Sequence, residues 1–254
     1  MSDTVRQMFA SIAGKYDFMN TLLSFGIHKR WREKAVKLSN IKDGMKILDL
    51  ATGTGDFAIE FSKRSKVQVI GVDFCEPMIE LAKRKIEKNF YKTPSPILVR
   101  SNIIETQVNS ISNNIYNISF EIGDATDLRF EDNSFDISSI AFGIRNVDSP
   151  LKCLQEMARV VKHGGNIVVI EFGQPNGILS ILYKIYSKIF MPILGKIIAK
   201  NFEAYVYLPE TASRFPCREE FISMMEQTET LVNCSYYSLS GGVAYIYLAD
   251  VNKS

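Results

Sequence analysis

The chain has 254 residues, 46% of them hydrophobic and 23% charged. This is an ordinary globular composition that excludes wholesale disorder, a collagen repeat and a coiled coil. Its 30 basic and 28 acidic residues leave a formal charge of +2, without the basic excess of a dedicated nucleic-acid binder. Cys75, Cys153, Cys217 and Cys234 form no zinc-ligand or disulfide-framework spacing. His28 and His163 are too few for a histidine-rich metal site, and no metal is expected. The N-terminal stretch MSDTVRQMFASIAGKYD lacks the apolar core of a secretory signal, so a reducing, cytoplasmic setting is expected.

Residues 1–40 read as a helical cap. Val5, Met8, Phe9, Ile12 and Ala13 recur at helical spacing, as do Trp31, Ala35 and Leu38 after His28. From residue 45 strand and helix patterns alternate. A strand over 45–50 runs into a Gly-containing turn and a helix to about Lys63. A second strand over 67–73 precedes a helix over 77–88 that opens on Pro77. Further strands follow at 120–124, 135–142 and 166–172. Ser149 and Pro150 suit the cap and first turn of a helix over 150–162, with Gly164 and Gly165 as its stop. Such alternation implies a doubly wound α/β fold with a parallel sheet. Residues 90–118 have no period and read as a flexible surface insertion. A helix over 218–228 and a hairpin over 235–251 would add antiparallel edge strands.

Residues 178–200 are the most apolar stretch. Lys184, Lys188 and Lys196 would each cost about 2.5–3.5 kcal/mol near a bilayer centre, and Pro192 interrupts the run, so it is not read as a span. The lysine pairs 184/188 and 196/200 leave wide apolar faces on two short helices. Those faces either pack into the core or form a greasy lid that touches a lipophilic substrate or a membrane surface.

The chemistry gathers at three strand ends. Gly53 and Gly55, in Asp49-Leu50-Ala51-Thr52-Gly53-Thr54-Gly55-Asp56, would let backbone approach a ligand. The third glycine of the dinucleotide fingerprint is replaced by Ala58, which disfavours an NAD-dependent dehydrogenase and leaves a ligand-free tight turn as the plain alternative. Asp73, 20 residues after Gly53, can accept hydrogen bonds from both hydroxyls of a ribose. Asp124 and Ala125 end the next strand, in reach of an adenine amine. With no phosphate-binding loop, a nucleoside without phosphates fits better, and S-adenosylmethionine is the candidate. Asp49, Gly53, Thr54, Gly55, Asp73, Asp124 and Ala125 would bind it, a pattern similar to class I methyltransferases.

Motifs along the rest of the chain make the resemblance specific. Lys15-Tyr16-Asp17-x-Met19-Asn20, Ser24-Phe25-Gly26-Ile27-His28-x-x-Trp31 and Phe142-Gly143-Ile144-Arg145-Asn146-Val147 resemble the ubiquinone/menaquinone biosynthesis C-methyltransferases. So do Gly164-Gly165 with Glu171-Phe172, and Ser240-Gly241-Gly242-Val243. The likeness covers nearly the whole chain except 90–118, and residues 191–200 and 212–216 look more like the menaquinone-pathway members. It implies one Rossmann-like methyltransferase domain over 1–254, mostly parallel with an antiparallel C-terminal hairpin, with a helical lid at 178–216. It further implies methylation of a ring carbon of a polyprenylated quinol. Demethylmenaquinol comes first and the methoxy-benzoquinol of ubiquinone synthesis second. Arg145 would stabilise the developing phenolate, Asn146 would orient a water that takes the proton, and Tyr16 would stand on the substrate side. His28 is a base on chemical grounds, but Lys29, Arg30 and Arg32 disfavour its charged form. A polyprenyl tail gains roughly 0.8 kcal/mol per buried CH₂, so transient contact at the inner face of the cell membrane is expected, and a homodimer is a further expectation. The alternatives are a methyltransferase for another lipophilic small molecule, and an inactive scaffold of a quinone-synthesis assembly.

Overall fold

The computed structural model describes residues 3–92, 117–199 and 202–253. Most of the expected insertion at 90–118 therefore lies outside the described residues, as does Lys200 of the expected lysine pair.

Three helices open the chain: α1 (Asp3–Ile12), α2 (Tyr16–Leu23) and α3 (Ile27–Leu38). Gly26, in the left-handed region at φ 73°, turns α2 into α3. The strands are β1 (Lys46–Leu50), β2 (Gln68–Asp73), β3 (Asn117–Ile122), β4 (Phe135–Ala141), β5 (Val161–Phe172), β6 (Leu231–Leu239) and β7 (Ala244–Val251). They form one sheet in the order β3-β2-β1-β4-β5-β7-β6. The first five are parallel, and β7 and β6 are antiparallel additions. Helices α4 (Asp56–Arg64), α5 (Glu76–Lys92) and α6 (Pro150–Val160) connect the parallel strands. The strand order reverses between β1 and β4, and their carboxyl ends open the crevice in which such sheets bind ligands.

Strand β1 shows why the sheet is buried on both faces. Ile47, Leu48 and Leu50 have no exposed surface, as expected of an apolar strand covered by helices on both sides. Leu48 and Leu50 join Ile140, Met157, Val169 and Phe221 in one core cluster. Ile47 points the other way, to Val69, Ile137 and Val168 and to Trp31, Phe57 and Phe61.

Two local expectations change. The glycine pair does not stop α6, because that helix ends at Val160 and β5 begins at Val161. Gly164 and Gly165 instead sit where the β4–β5 register shifts, between Phe135↔Val161 and Ile137↔Asn166. A Cβ on Gly165 would lie 2.5 Å from the Asp136 carbonyl oxygen, so only glycine fits this bulge. Pro192 does not split the lid segment into two helices either. The helical run 177–199 passes from α7 (Gly177–Ile185) through a π-turn (Tyr186–Phe190), α8 (Met191–Leu194) and a second π-turn (Gly195–Ala199). Proline cannot donate to the carbonyl four residues back, and widened turns on both sides accommodate it.

The two faces of this run differ. Tyr186, Met191, Leu194 and Ile198 pack with Met19, Leu23 and Tyr205, the last from α9 (Phe202–Arg214). Ile181, Leu182, Ile185, Ile189, Phe190, Ile193 and Ile197 are exposed. Among the described residues no helix is long and apolar enough to cross a membrane. Helix α10 (Glu219–Glu226) leads into the terminal hairpin.

Candidate active site

The turn after β1 is built for close approach. Ala51, Gly53 and Gly55 all take positive φ, at 46°, 56° and 80°, where only glycine is unstrained. A Cβ on Gly53 would meet nothing nearer than Tyr16, at 3.9 Å, whereas one on Gly55 would strike the Phe120 ring at 2.5 Å. Gly53 therefore keeps space open, and Gly55 lets α4 start against β3. Beneath the turn lies Asp49, 1% exposed. It accepts hydrogen bonds from the Thr52 and Ser139 hydroxyls at 2.6 and 2.8 Å. Burial pushes its carboxyl up to about 6, against the pull of those two bonds.

Asp73 ends β2 directly behind Gly53. Its two oxygens accept the Gly53 and Cys75 backbone N–H groups, each at 2.8 Å. Burial raises its pKa, with the backbone bonds opposing, and no salt-bridge partner is seen among the described residues. Asp124, two residues past β3, accepts from the Thr126 N–H and hydroxyl at 2.8 and 2.7 Å, with Ala125 buried beside it. The N-terminal helices cover this edge. Phe9, Ala10 and Tyr16 pack around Ala13, Cys75 and Met78.

An ionic cluster ties that cover to the glycine turn. Lys85 Nζ donates to Asp17, Asp56 and the Thr54 hydroxyl at 2.6, 2.7 and 2.8 Å. Thr54 donates to Asp17 at 2.5 Å, and Arg32 pairs with Asp56 at 2.7 Å. Burial opposes ionisation of Asp56, but Arg32 and Lys85 outweigh it and hold the carboxyl below the usual range. The pairing of Asp17, Arg32 and Lys85 with Asp56 and Thr54 was not legible in the sequence, because it joins four separate segments of the chain.

Beside the turn opens a cavity of about 680 Å³. Thr52, Gly53 and Thr54 line it, together with Phe142, Phe172, Tyr183, Tyr186, Met191 and Leu208, which make it largely aromatic and aliphatic. Tyr16, His28, Asp49 and Arg145 also line it, whereas Gly55, Asp73, Asp124, Ala125 and Asn146 do not.

Comparison with known proteins places the chain in a family. The model of the ubiE/COQ5 methyltransferase family matches residues 1–250. The chain belongs to that family. It is 41% identical to the ubiquinone/menaquinone biosynthesis C-methyltransferase UbiE of Bdellovibrio bacteriovorus, over 98% of this chain and 96% of the relative. It is 37% identical to the demethylmenaquinone methyltransferase of Staphylococcus aureus, over 99% and 94%. A Thermotoga maritima SAM-dependent methyltransferase shares the fold at TM-score 0.63 and 18% identity, covering 97% of this chain and 99% of that one.

In this member of the ubiE/COQ5 methyltransferase family, Arg145 is not a free cation. Its Nη1 donates to Glu171 at 2.6 Å and to the Phe142 carbonyl at 2.7 Å. Its guanidinium lies over the Phe172 ring, 5.2 Å from the centroid. Burial raises the Glu171 pKa, with Arg145 opposing. Glu171 was missed as a site residue, and its signal was a lone carboxylate closing the apolar strand Ile167-Val168-Val169-Ile170. Asn146 departs from its expected place: it is buried, accepts from the Tyr207 hydroxyl at 3.1 Å and turns its amide toward the Phe142 carbonyl. Its polar atoms are thus satisfied by α9 and the β4 end rather than offered to a water in the cavity. Tyr16 is hydrogen-bonded by the Asn20 side chain, and burial raises its phenol pKa, so it stays protonated.

Proposed function

We propose that this protein transfers the methyl group of S-adenosylmethionine to a ring carbon of a polyprenylated quinol. Demethylmenaquinol is the first candidate and the methoxy-benzoquinol of ubiquinone synthesis the second. The observation that carries this reading is the cavity itself, because one space joins the glycine turn to an aromatic chamber beside an exposed apolar helix.

The residues fit the co-substrate. Gly53 holds open the space a side chain would fill, and Asp73 is a carboxylate at the strand end, as recognition of a ribose diol requires. Asp49 and Thr54 shape the turn, Gly55 starts α4, and Asp124 with Ala125 extends the edge toward the adenine side. When bound, S-adenosylmethionine supplies an electrophilic methyl. The chain's own part is to orient the ring and stabilise charge on its oxygen. Arg145 serves as an oriented donor rather than a net positive charge, since Glu171 neutralises it. Tyr16, over Gly53, separates the two reactants' compartments. Asn146 acts through Tyr207.

The whole chain 1–254 works as one domain, with 1–40 as a cap and 178–216 as the lid. The lid's outer face rests on the membrane surface that delivers the tail: residues 177–199 contain Lys184, Lys188 and Lys196 and no acidic residue, which suits anionic lipid. The test is incubation with methyl-labelled S-adenosylmethionine and a panel of demethylated quinols under reducing conditions. Label in a naphthoquinol ring carbon is expected, and label only in another lipophilic acceptor would overturn the reading.

A further inference from the structure

In the reaction proposed above the quinol hydroxyl gives up its proton while the ring carbon attacks, and a base on the cavity wall can hold that proton. Arg145 is permanently protonated. Glu171 is bonded to Arg145 and to the Phe172 N–H. Both oxygens of Asp49 are engaged by hydroxyls, and Asp56 is held by Arg32 and Lys85. Among the described residues on the cavity wall, the neutral nitrogen base is His28, at the start of α3 and 5% exposed.

The hydrogen bonds around His28 fix its tautomer. The Ser24 hydroxyl lies 2.6 Å from the Asn20 carbonyl oxygen and 2.5 Å from His28 Nδ1. A carbonyl only accepts, so the single hydroxyl proton of Ser24 is committed to Asn20. The contact with Nδ1 is then an N–H donated by the imidazole to Ser24 Oγ. A neutral ring carries one proton, which leaves Nε2 as a bare lone pair. Nε2 has no partner among the described residues and is not sealed in the core.

We propose that His28 Nε2 accepts the quinol hydroxyl proton as the ring carbon attacks the methyl group, an assignment that rests on the quinol reading above. In the step the ring carbon bonds to the methyl carbon, and the carbon–sulfur pair stays with sulfur. The O–H pair becomes the second bond of a dienone carbonyl, and the proton passes to Nε2. Loss of the ring C–H proton to water and return of the imidazolium proton to oxygen restore the quinol, so one proton is released overall. Burial first, then Arg32 and Lys29, push the imidazole down to about 4, with Asp56 and Asp17 opposing. The ring is thus wholly in its accepting form near neutral pH. A weak base suffices, because the hydroxyl becomes strongly acidic as the carbon–carbon bond forms.

The variant that isolates this role is His28→Asn, whose amide N–H can still reach Ser24 while Nε2 is lost. Nitrogen NMR of wild-type protein carrying labelled histidine should show one side chain protonated on Nδ1 and bare on Nε2. With only His28 and His163 present, the signal missing from His28→Asn assigns it. Labelled-methyl turnover of the variant should fall by about 100-fold or more, the usual worth of a general base, with S-adenosylmethionine affinity by calorimetry unchanged. Its residual rate should rise with pH as hydroxide substitutes, where the wild-type rate is flat. An Nε2-protonated ring, or a variant with wild-type turnover and pH profile, overturns the role of His28 alone. A wild type that methylates no quinol overturns the acceptor reading, and the role of His28 with it.

Discussion

Arg145 Nη1 donates to Glu171 Oε1 at 2.6 Å, and the two side chains are 2% and 1% exposed. Removing one partner of such a pair strands a buried charge, at about 3–5 kcal/mol. Glu171→Ala should therefore lower the unfolding free energy by that order and abolish turnover. The double variant Arg145→Met/Glu171→Leu should regain most of the stability in urea denaturation while staying inactive. Recovery of activity in the double variant would show that the guanidinium is dispensable.

Asp73 is the proposed ribose acceptor and also holds the Gly53 and Cys75 N–H groups. Hydrogen bonds to a charged group contribute about 1.5–3 kcal/mol each. Asp73→Ala should weaken S-adenosylmethionine binding by about tenfold to a hundredfold or more in calorimetry. Unchanged affinity would refute the assignment.

Lys85 joins α5 to Asp17 of α2 and to Asp56 and Thr54 of the glycine turn. Lys85→Met should loosen the N-terminal cover and raise the S-adenosylmethionine dissociation constant. Faster amide exchange over residues 3–23, with the β1 and β4 amides unchanged, is the expected signature. Uniform acceleration would mean the cluster is a global stability element instead.

His28 predicts an acid limb in stability. Its folded pKa is lowered to about 4 from 6.5. Between those values the unfolded chain binds the extra proton, so stability is lost as pH falls from about 6.5 toward 4. The loss is complete once the pH is below both values. His28→Asn lacks this term and should gain on wild type as the medium is acidified, by melting temperature. Parallel pH profiles would contradict a neutral, buried imidazole.

Ile185 and Ile189 stand four residues apart on the outward face of the run 177–199, 46% and 51% exposed. Each loses about 1.5–3 kcal/mol of burial if the face enters a lipid surface and the side chain is made charged. Ile185→Asp/Ile189→Asp should cut co-sedimentation with anionic vesicles at least about tenfold. Turnover of a long-tailed quinol should suffer more than that of a tail-less analogue. Equal effects on both substrates would count against the lid.

The local chain determined a great deal. Alternating apolar strands and helices set the doubly wound sheet, because a strand covered on both faces must be apolar throughout. The positions of the glycine turn, Asp73 and Asp124 at or just past three successive strand ends were legible because each follows from the strand beside it in the chain. Gly164, Gly165 and Pro192 were misread because their effect depends on a neighbour: the Asp136 carbonyl excludes any Cβ at Gly165, and a π-turn on each side absorbs the proline. What only the tertiary structure decided is which charges meet. Glu171 finds Arg145 because β4 and β5 end side by side, and Lys85 finds Asp17 because α2 folds back over the glycine turn. Ser24 and His28 are neighbours on one turn of chain, but the folded backbone is what sets the Asn20 carbonyl against Ser24 and so fixes the tautomer. Pairing and desolvation depend on distance in space, which spacing along the chain does not encode.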